Sequence, residues 1–117
     1  MAKVSREPFF WAMFSAGGML AALVLPAVVL LLWFAIPLGW VEAPSYVELV
    51  TKIDRPPVKL ALFALVVLSL FHWAHRFRFT LYDGLQLSHL YGLIATVSYG
   101  SATVLTLLAA RLFWSFP

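Results

Sequence analysis

Three long apolar stretches dominate the chain, and short polar stretches separate them. The first runs from about residue 9 to 38, the second from about 58 to 81 and the third from about 90 to 113. A helix rises about 1.5 Å per residue and the bilayer hydrocarbon is about 30 Å thick, so each stretch is long enough to cross a membrane. The pattern predicts an all-α membrane protein with three transmembrane helices, forming a single domain over residues 1–117.

Local signals mark some helix ends and one extra helix. Pro56 and Pro57 suit the first turn of the second span, where a missing N–H has no partner to lose. In the preceding polar stretch, Glu48 follows Ser45 at the spacing of a capping box, which predicts a short helix in the first loop. Pro26 falls inside the first span, which is longer than a bilayer needs. That span is expected to tilt, to kink at Pro26 or to begin in the interface.

The composition leaves few kinds of chemistry open. Of the 117 residues, 63% are hydrophobic and 11% are charged, whereas about a quarter of the residues in a soluble domain are charged. The net charge of +3 comes without a basic run, so no nucleic-acid partner is expected. The chain has no cysteine, which excludes thiolate-bound iron–sulfur clusters on its own residues. The spans also lack the carboxylate of a proton-coupled multidrug-type transporter, which leaves a transporter or a scaffold as a disfavoured alternative.

Charge alone does not orient the chain in the membrane. The positive-inside rule compares the basic residues on the two sides. A cytoplasmic N-terminus places four basic residues on each side: Lys3, Arg6, Arg76 and Arg78 on one, and Lys52, Arg55, Lys59 and Arg111 on the other.

Ionisable side chains gather near the end of the second span, at His72, His75 and Arg76. Such groups are expensive in hydrocarbon and mark functional sites. His75 can exchange a proton with a quinone-type ligand, and Arg76 can stabilise negative charge on the same oxygen. A structural hydrogen bond to a backbone carbonyl is the alternative for His75. His72 is interpreted as a hydrogen-bond partner of a neighbouring helix, with ligation of haem iron as the alternative. Arg76 and Arg78 are expected to extend outward to the headgroups.

The first and third spans offer aromatic and small side chains. Trp11 and Phe14 lie three residues apart, hence on one helix face, and present flat apolar surface to a ring. Small residues recur at intervals of four and let helix backbones approach closely in lipid. They pack the three helices together or face a partner membrane chain. They are Gly17, Gly18, Ala21 and Ala22 in the first span and Gly92, Thr96 and Gly100 in the third.

Two blocks of sequence carry a family resemblance. The first comprises Glu7-Pro8-Phe9-Phe10-Trp11, Phe14-Ser15-Ala16-Gly17-Gly18-Met19, Pro26 and Pro37-Leu38-Gly39. The second comprises His75-Arg76 and Asp83, which follows the arginine by seven residues. The two blocks, and the distance between them along the chain, resemble the D-type membrane anchor of fumarate reductase. The three-span architecture extends the resemblance over essentially the whole chain.

The resemblance implies a membrane component of a quinol:fumarate reductase in the bacterial inner membrane, with a cytoplasmic N-terminus. Such a component pairs with a C-type membrane anchor and holds an iron–sulfur subunit and a flavoprotein subunit at the membrane. Electrons then pass from menaquinol through iron–sulfur clusters to FAD and fumarate, so the fumarate chemistry lies on partner chains. The quinone-binding positions carried over to this chain are Trp11, Phe14, Ser15, His75 and Arg76.

Three positions depart from the family pattern. Ser15 stands where glycine is expected. Arg78 stands where histidine is expected, which predicts extra positive charge at the surface that docks the iron–sulfur subunit. His72 stands where the best-known haem-free members have no histidine. The alternative is therefore a haem-b-containing anchor of a succinate dehydrogenase-like complex, with His72 or His75 as an axial ligand.

Overall fold

The computed structural model describes residues 4–115, which form three long helices and one short helix. Three continuous helical segments are long and apolar enough to cross a membrane, Glu7–Ala35, Pro56–Gly84 and Ser88–Ser115. The predicted all-α membrane fold is thus confirmed. Lys3, which entered the charge comparison, lies outside the described residues. The helices are α1 (Glu7–Leu30), α2 (Tyr46–Ile53), α3 (Pro56–Phe79) and α4 (Tyr91–Ser115); α1 and α3 continue as the π-helical turns Leu31–Ala35 and Thr80–Gly84, and the 3₁₀ turn Ser88–Leu90 precedes α4.

The end of the first span is fixed by a glycine. Gly39 has a φ of 74°, a left-handed conformation that glycine adopts without steric cost. Its N–H donates to the Ile36 carbonyl at 3.0 Å, and the Trp40 N–H donates to the Ala35 carbonyl at 2.8 Å. This pair of bonds is a Schellman motif, which satisfies carbonyls that the helix end leaves free. The assigned helical segment runs to Ala35, and helical hydrogen bonding continues to Leu38, whose N–H donates to the Phe34 carbonyl at 2.9 Å just before Gly39 closes the end. The helix α1 runs through Pro26 without ending there.

The short helix predicted in the first loop is present as α2 and begins at the predicted capping box. The Glu48 N–H donates to Ser45 Oγ at 3.3 Å, and the Ser45 N–H donates to Glu48 Oε2 at 2.8 Å. The Ser45 N–H and the Ser45 hydroxyl both donate to the Glu48 carboxylate, and because these bonds favour its charged form they lower the pKa of Glu48 below its ordinary value. Lys59 and Asp54 form an ion pair at 2.7 Å that links the end of α2 to the first turn of α3.

The helix α3 packs against both α1 and α4. The contact with α1 is close at two glycines. A Cβ on Gly17 would overlap the Leu68 carbonyl oxygen, and a Cβ on Gly18 would overlap the His72 ring. A Cβ on Gly92 or Gly100 would instead meet no atom of the described residues within 4 Å. Gly17 and Gly18 of the first span therefore pack inside this chain, whereas Gly92 and Gly100 of the third span face outward.

Candidate functional site

A pocket of about 550 Å³ lies between the first turns of α1 and the second half of α3, with one residue of α4 in its wall. It is a cleft open on one side, and its wall is mainly apolar and aromatic. Its volume falls in the range of pockets that hold small organic ligands. The polar and aromatic groups of the wall are Glu7, Phe10, Trp11, Phe14, Phe71, His72, His75 and Tyr99.

His75 is held in this wall by aromatic rings and one hydrogen bond. Its ring centroid lies 4.6 Å from that of Phe14, 5.0 Å from that of Phe79 and 5.8 Å from that of Trp11, all edge-to-face. Its Nδ1 lies 2.8 Å from the Tyr99 hydroxyl. The partner of His75 is thus a side chain of α4 rather than a backbone carbonyl. Among the described residues, Nε2 has no hydrogen-bond partner.

His72 makes the interhelical hydrogen bond that the sequence predicts. Its Nδ1 lies 2.9 Å from the Phe14 carbonyl oxygen of α1, and the two rings are stacked at 4.3 Å. Since a carbonyl can only accept, Nδ1 carries the proton, and the neutral imidazole has a bare Nε2. Within residues 4–115, no cluster of three or more His, Asp or Glu side chains is placed to hold a metal ion.

The structure brings together three of the five predicted quinone-binding residues. Trp11, Phe14 and His75 share the pocket wall. Ser15 and Arg76 do not line the pocket, and both side chains are exposed. Successive residues of an α-helix point about 100° apart, because a turn takes 3.6 residues. Ser15 and Arg76 each follow a pocket residue directly and therefore point to another side of their helix.

Arg78 is half-buried with its guanidinium against aromatic rings, so its predicted outward extension to the headgroups is wrong. Its guanidinium carbon lies 4.6 Å from the Phe79 ring centroid, 5.2 Å from that of Tyr99, 5.8 Å from that of Tyr82 and 5.9 Å from that of Tyr91. Residues three and four apart share a helix face, so Arg78 lies on the side of the pocket histidine. Ring faces attract the cation. The Arg78 Nε is buried without a hydrogen-bond partner among the described residues.

Two polar residues of the wall, Tyr99 and Glu7, are not predicted as site residues from the sequence. Tyr99 carries a hydroxyl in the middle of an apolar span, where a buried Tyr O–H usually finds a partner. That rule predicts a partner without saying which. Glu7 lies in the first turn of α1, where a carboxylate is favoured by the helix dipole. The signal in the sequence for Glu7 is its position shortly before the aromatic residues Trp11 and Phe14.

Replacing Arg78 with glutamate is expected to destabilise the fold far more than the same change at Arg76. Arg78→Glu places a carboxylate against ring faces that favour a cation. The free energy of unfolding should therefore fall by about 2 kcal/mol or more. Arg76→Glu changes an exposed side chain and should alter stability by about 0.5 kcal/mol or less. Thermal unfolding of both variants in detergent measures the difference. Equal midpoints would contradict the inward position of Arg78.

Comparison with known proteins gives a consistent assignment. The family model that describes the D-type subunit of fumarate reductase matches residues 1–113. The chain is 51% identical over 100 residues to the fumarate reductase D-type subunits of Mycobacterium tuberculosis and of Mycobacterium bovis, covering 86% of this chain and 80% of each relative. It is 33% identical over 109 residues to the fumarate reductase D-type subunit of Vibrio cholerae, covering 92% of this chain and 82% of that protein. With three helices long enough to cross a membrane and a family match over nearly its whole length, this chain belongs to the family of fumarate reductase D-type subunits.

Proposed function

We propose that this chain anchors a quinol:fumarate reductase in the bacterial inner membrane and that its α1–α3 pocket forms part of the menaquinol site. One observation carries the proposal: an imidazole whose Nε2 has no hydrogen-bond partner among residues 4–115 stands in an aromatic pocket of about 550 Å³ within a membrane-spanning bundle. An apolar ring fits between such walls, and a hydroxyl on it needs a proton acceptor of this kind.

The chemistry proposed for the pocket is proton removal from a bound quinol. Oxidation of a quinol releases two protons and two electrons. His75 Nε2 receives one hydroxyl proton, and Glu7, the carboxylate in the same wall, takes the other toward the aqueous phase. The two electrons would leave for the iron–sulfur subunit, whose clusters would supply their path to FAD and fumarate. Trp11 and Phe14, which pack edge-to-face on each other at 5.6 Å, supply the apolar ring surface against which the quinol ring would rest.

The open side of the pocket supports a site completed by other subunits. A C-type anchor is proposed to cover it, with the iron–sulfur and flavoprotein subunits bound on the cytoplasmic side, where the N-terminus lies. Ser15 and Arg76, both exposed in this chain, would then contribute from the margin that the partners close. Affinity purification of the full chain from membranes, followed by mass spectrometry, tests the assembly. Recovery without iron–sulfur and flavoprotein chains would contradict it.

Filling the pocket tests the location of the quinol. Val67 lines the pocket, and Val67→Phe adds volume there. We expect the KM for menaquinol to rise about tenfold, equivalent to about 1.4 kcal/mol of lost binding, with dye-linked fumarate reduction unchanged. Val29→Phe is the matched control, because Val29 is exposed on α1 outside the pocket wall. An unchanged KM in Val67→Phe would place the quinol elsewhere.

His72 supports the haem-b anchor as a second candidate. Its Nδ1–H donates to the Phe14 carbonyl and leaves Nε2 bare, which is the arrangement of a histidine that ligates a metal. His72 Nε2 would hold haem b, which would supply one-electron transfer there. The reduced-minus-oxidised absorption spectrum of the purified complex separates the candidates. A haem band that disappears in His72→Ala would establish the haem-b anchor, and a spectrum without a haem band would exclude it.

A further inference from the structure

We infer that Tyr99 is a positioning residue for His75, through which α4 controls the proton chemistry of the pocket. The inference rests on the proposed function of the pocket and extends it to a residue of the third span. Tyr99 lies in the pocket wall, and its hydroxyl is 2.8 Å from His75 Nδ1. The sequence predicts no quinone-binding role for it.

The packing of α4 on α3 places this hydroxyl. Ala74 of α3 and Ser98 and Ala102 of α4 are buried, with exposed fractions of 2% or less. Such small residues let two helices approach closely in a membrane. The Tyr99 ring centroid also lies 5.2 Å from the Arg78 guanidinium carbon, a cation–π contact that helps to hold the ring. Tyr99 is therefore fixed by both its neighbours and its hydrogen bond.

A phenol hydroxyl suits His75 because it both donates and accepts. When Nδ1–H donates to Tyr99, Nε2 is bare and can take the hydroxyl proton of a quinol. When the Tyr99 hydroxyl donates to Nδ1, Nε2 carries a proton and can donate to a quinone carbonyl. The two tautomers interconvert only when one ring nitrogen gives up a proton and the other gains one. Rotation of the Tyr99 O–H bond then lets the same hydroxyl accept from Nδ1 or donate to it, so it can hold either tautomer in place. After Nε2 has accepted a proton, both ring nitrogens donate, and Tyr99 accepts from Nδ1.

The consequence is a specific kinetic signature for Tyr99→Phe. The variant keeps the ring, so the pocket wall and the KM for menaquinol should change little. It removes the group that orients the imidazole, so kcat for menaquinol-dependent fumarate reduction should fall about tenfold, within the range of well-placed acid–base groups. Tyr91→Phe is the control. It removes a hydroxyl from the same helix, and the Tyr91 ring stacks on Tyr82 outside the pocket wall.

A double-mutant cycle in the assembled, purified complex tests whether Tyr99 acts through His75. Tyr99→Phe, His75→Ala and the double variant are assayed for kcat and KM with a menaquinol analogue and, separately, with a dye that feeds the soluble subunits. We expect the tenfold effect of Tyr99→Phe to vanish in the His75→Ala background, because residues that act as a unit are not additive. Dye-linked rates should stay constant.

The outcomes separate this inference from the proposed function. Loss of quinol activity in His75→Ala with an unchanged kcat in Tyr99→Phe would overturn the role of Tyr99 and leave the pocket intact. Additive losses in the cycle would overturn it as well, since Tyr99 would then act independently of His75. Full quinol activity in His75→Ala would overturn the proposed function of the pocket and this inference together.

Discussion

Replacement of His75 by alanine is expected to lower menaquinol-dependent fumarate reduction by about tenfold or more. His75 is the pocket imidazole whose Nε2 has no protein partner among the described residues, so it is the group best placed to take a quinol proton. Alanine removes this acceptor and also opens space beside Trp11 and Phe14. A ring displaced by about 1 Å can react a hundredfold more slowly, which adds to the loss.

The assay needs a second electron donor to separate chemistry from assembly. An artificial dye that reduces the soluble subunits directly should give full fumarate reduction in His75→Ala, because those subunits remain bound. Loss of both activities would instead mean that the complex fails to assemble. Retention of quinol-dependent activity would show that the histidine cluster is structural and that the quinol binds elsewhere.

Arg76→Leu completes this comparison. The family resemblance predicts a loss of similar size, through a guanidinium that stabilises the anionic oxygen left when the quinol hydroxyl gives up its proton. In this chain Arg76 is exposed and lies outside the pocket wall. A loss in Arg76→Leu would therefore indicate that assembly brings the ligand to the open margin of the cleft. Activity retained in Arg76→Leu but lost in His75→Ala would confine the chemistry to the wall formed by α1, α3 and α4.

The three spans and the short loop helix can be predicted because their signals are local. Apolar length determines a membrane span, and the Ser45–Glu48 capping box determines where α2 begins. At the end of the first span the capping residue Gly39 directly follows the apolar stretch, so the backbone hydrogen bonds that close the helix lie close to the end that hydropathy predicts.

The rotation of each span about its axis is much harder to predict. A helix that is apolar on all sides carries no pattern that distinguishes its inner face from its lipid face. The outward position predicted for Arg78 is wrong for this reason, although its spacing of three from His75 places it on the pocket side of the helix. The partnership between Tyr99 and His75 joins two spans and depends on their relative rotation, which no local signal contains.

Whether a small residue faces another helix of this chain or the outside is equally hard to predict from the sequence. Gly18→Leu should strongly destabilise the chain, because any Cβ at this position overlaps the His72 ring. The ring would have to leave its stacked position on Phe14 and give up its hydrogen bond to the Phe14 carbonyl. Overpacking of this kind typically costs about 1–3 kcal/mol, and the pocket between α1 and α3 should be lost with it.

Gly100→Leu is the matched variant, with the same change on the outward face of α4. A Cβ there meets no described atom within 4 Å, so the chain itself should stay as stable as the wild type. The leucine would have an effect only if a partner helix packs on this face. It would then displace that helix, and the soluble subunits would be released from the membrane. Thermal midpoints of the purified chain and the membrane-bound fraction of flavin measure the two effects. A wild-type midpoint for Gly18→Leu would contradict the close packing of α1 on α3, and normal membrane retention in Gly100→Leu would show that this face of α4 contacts lipid.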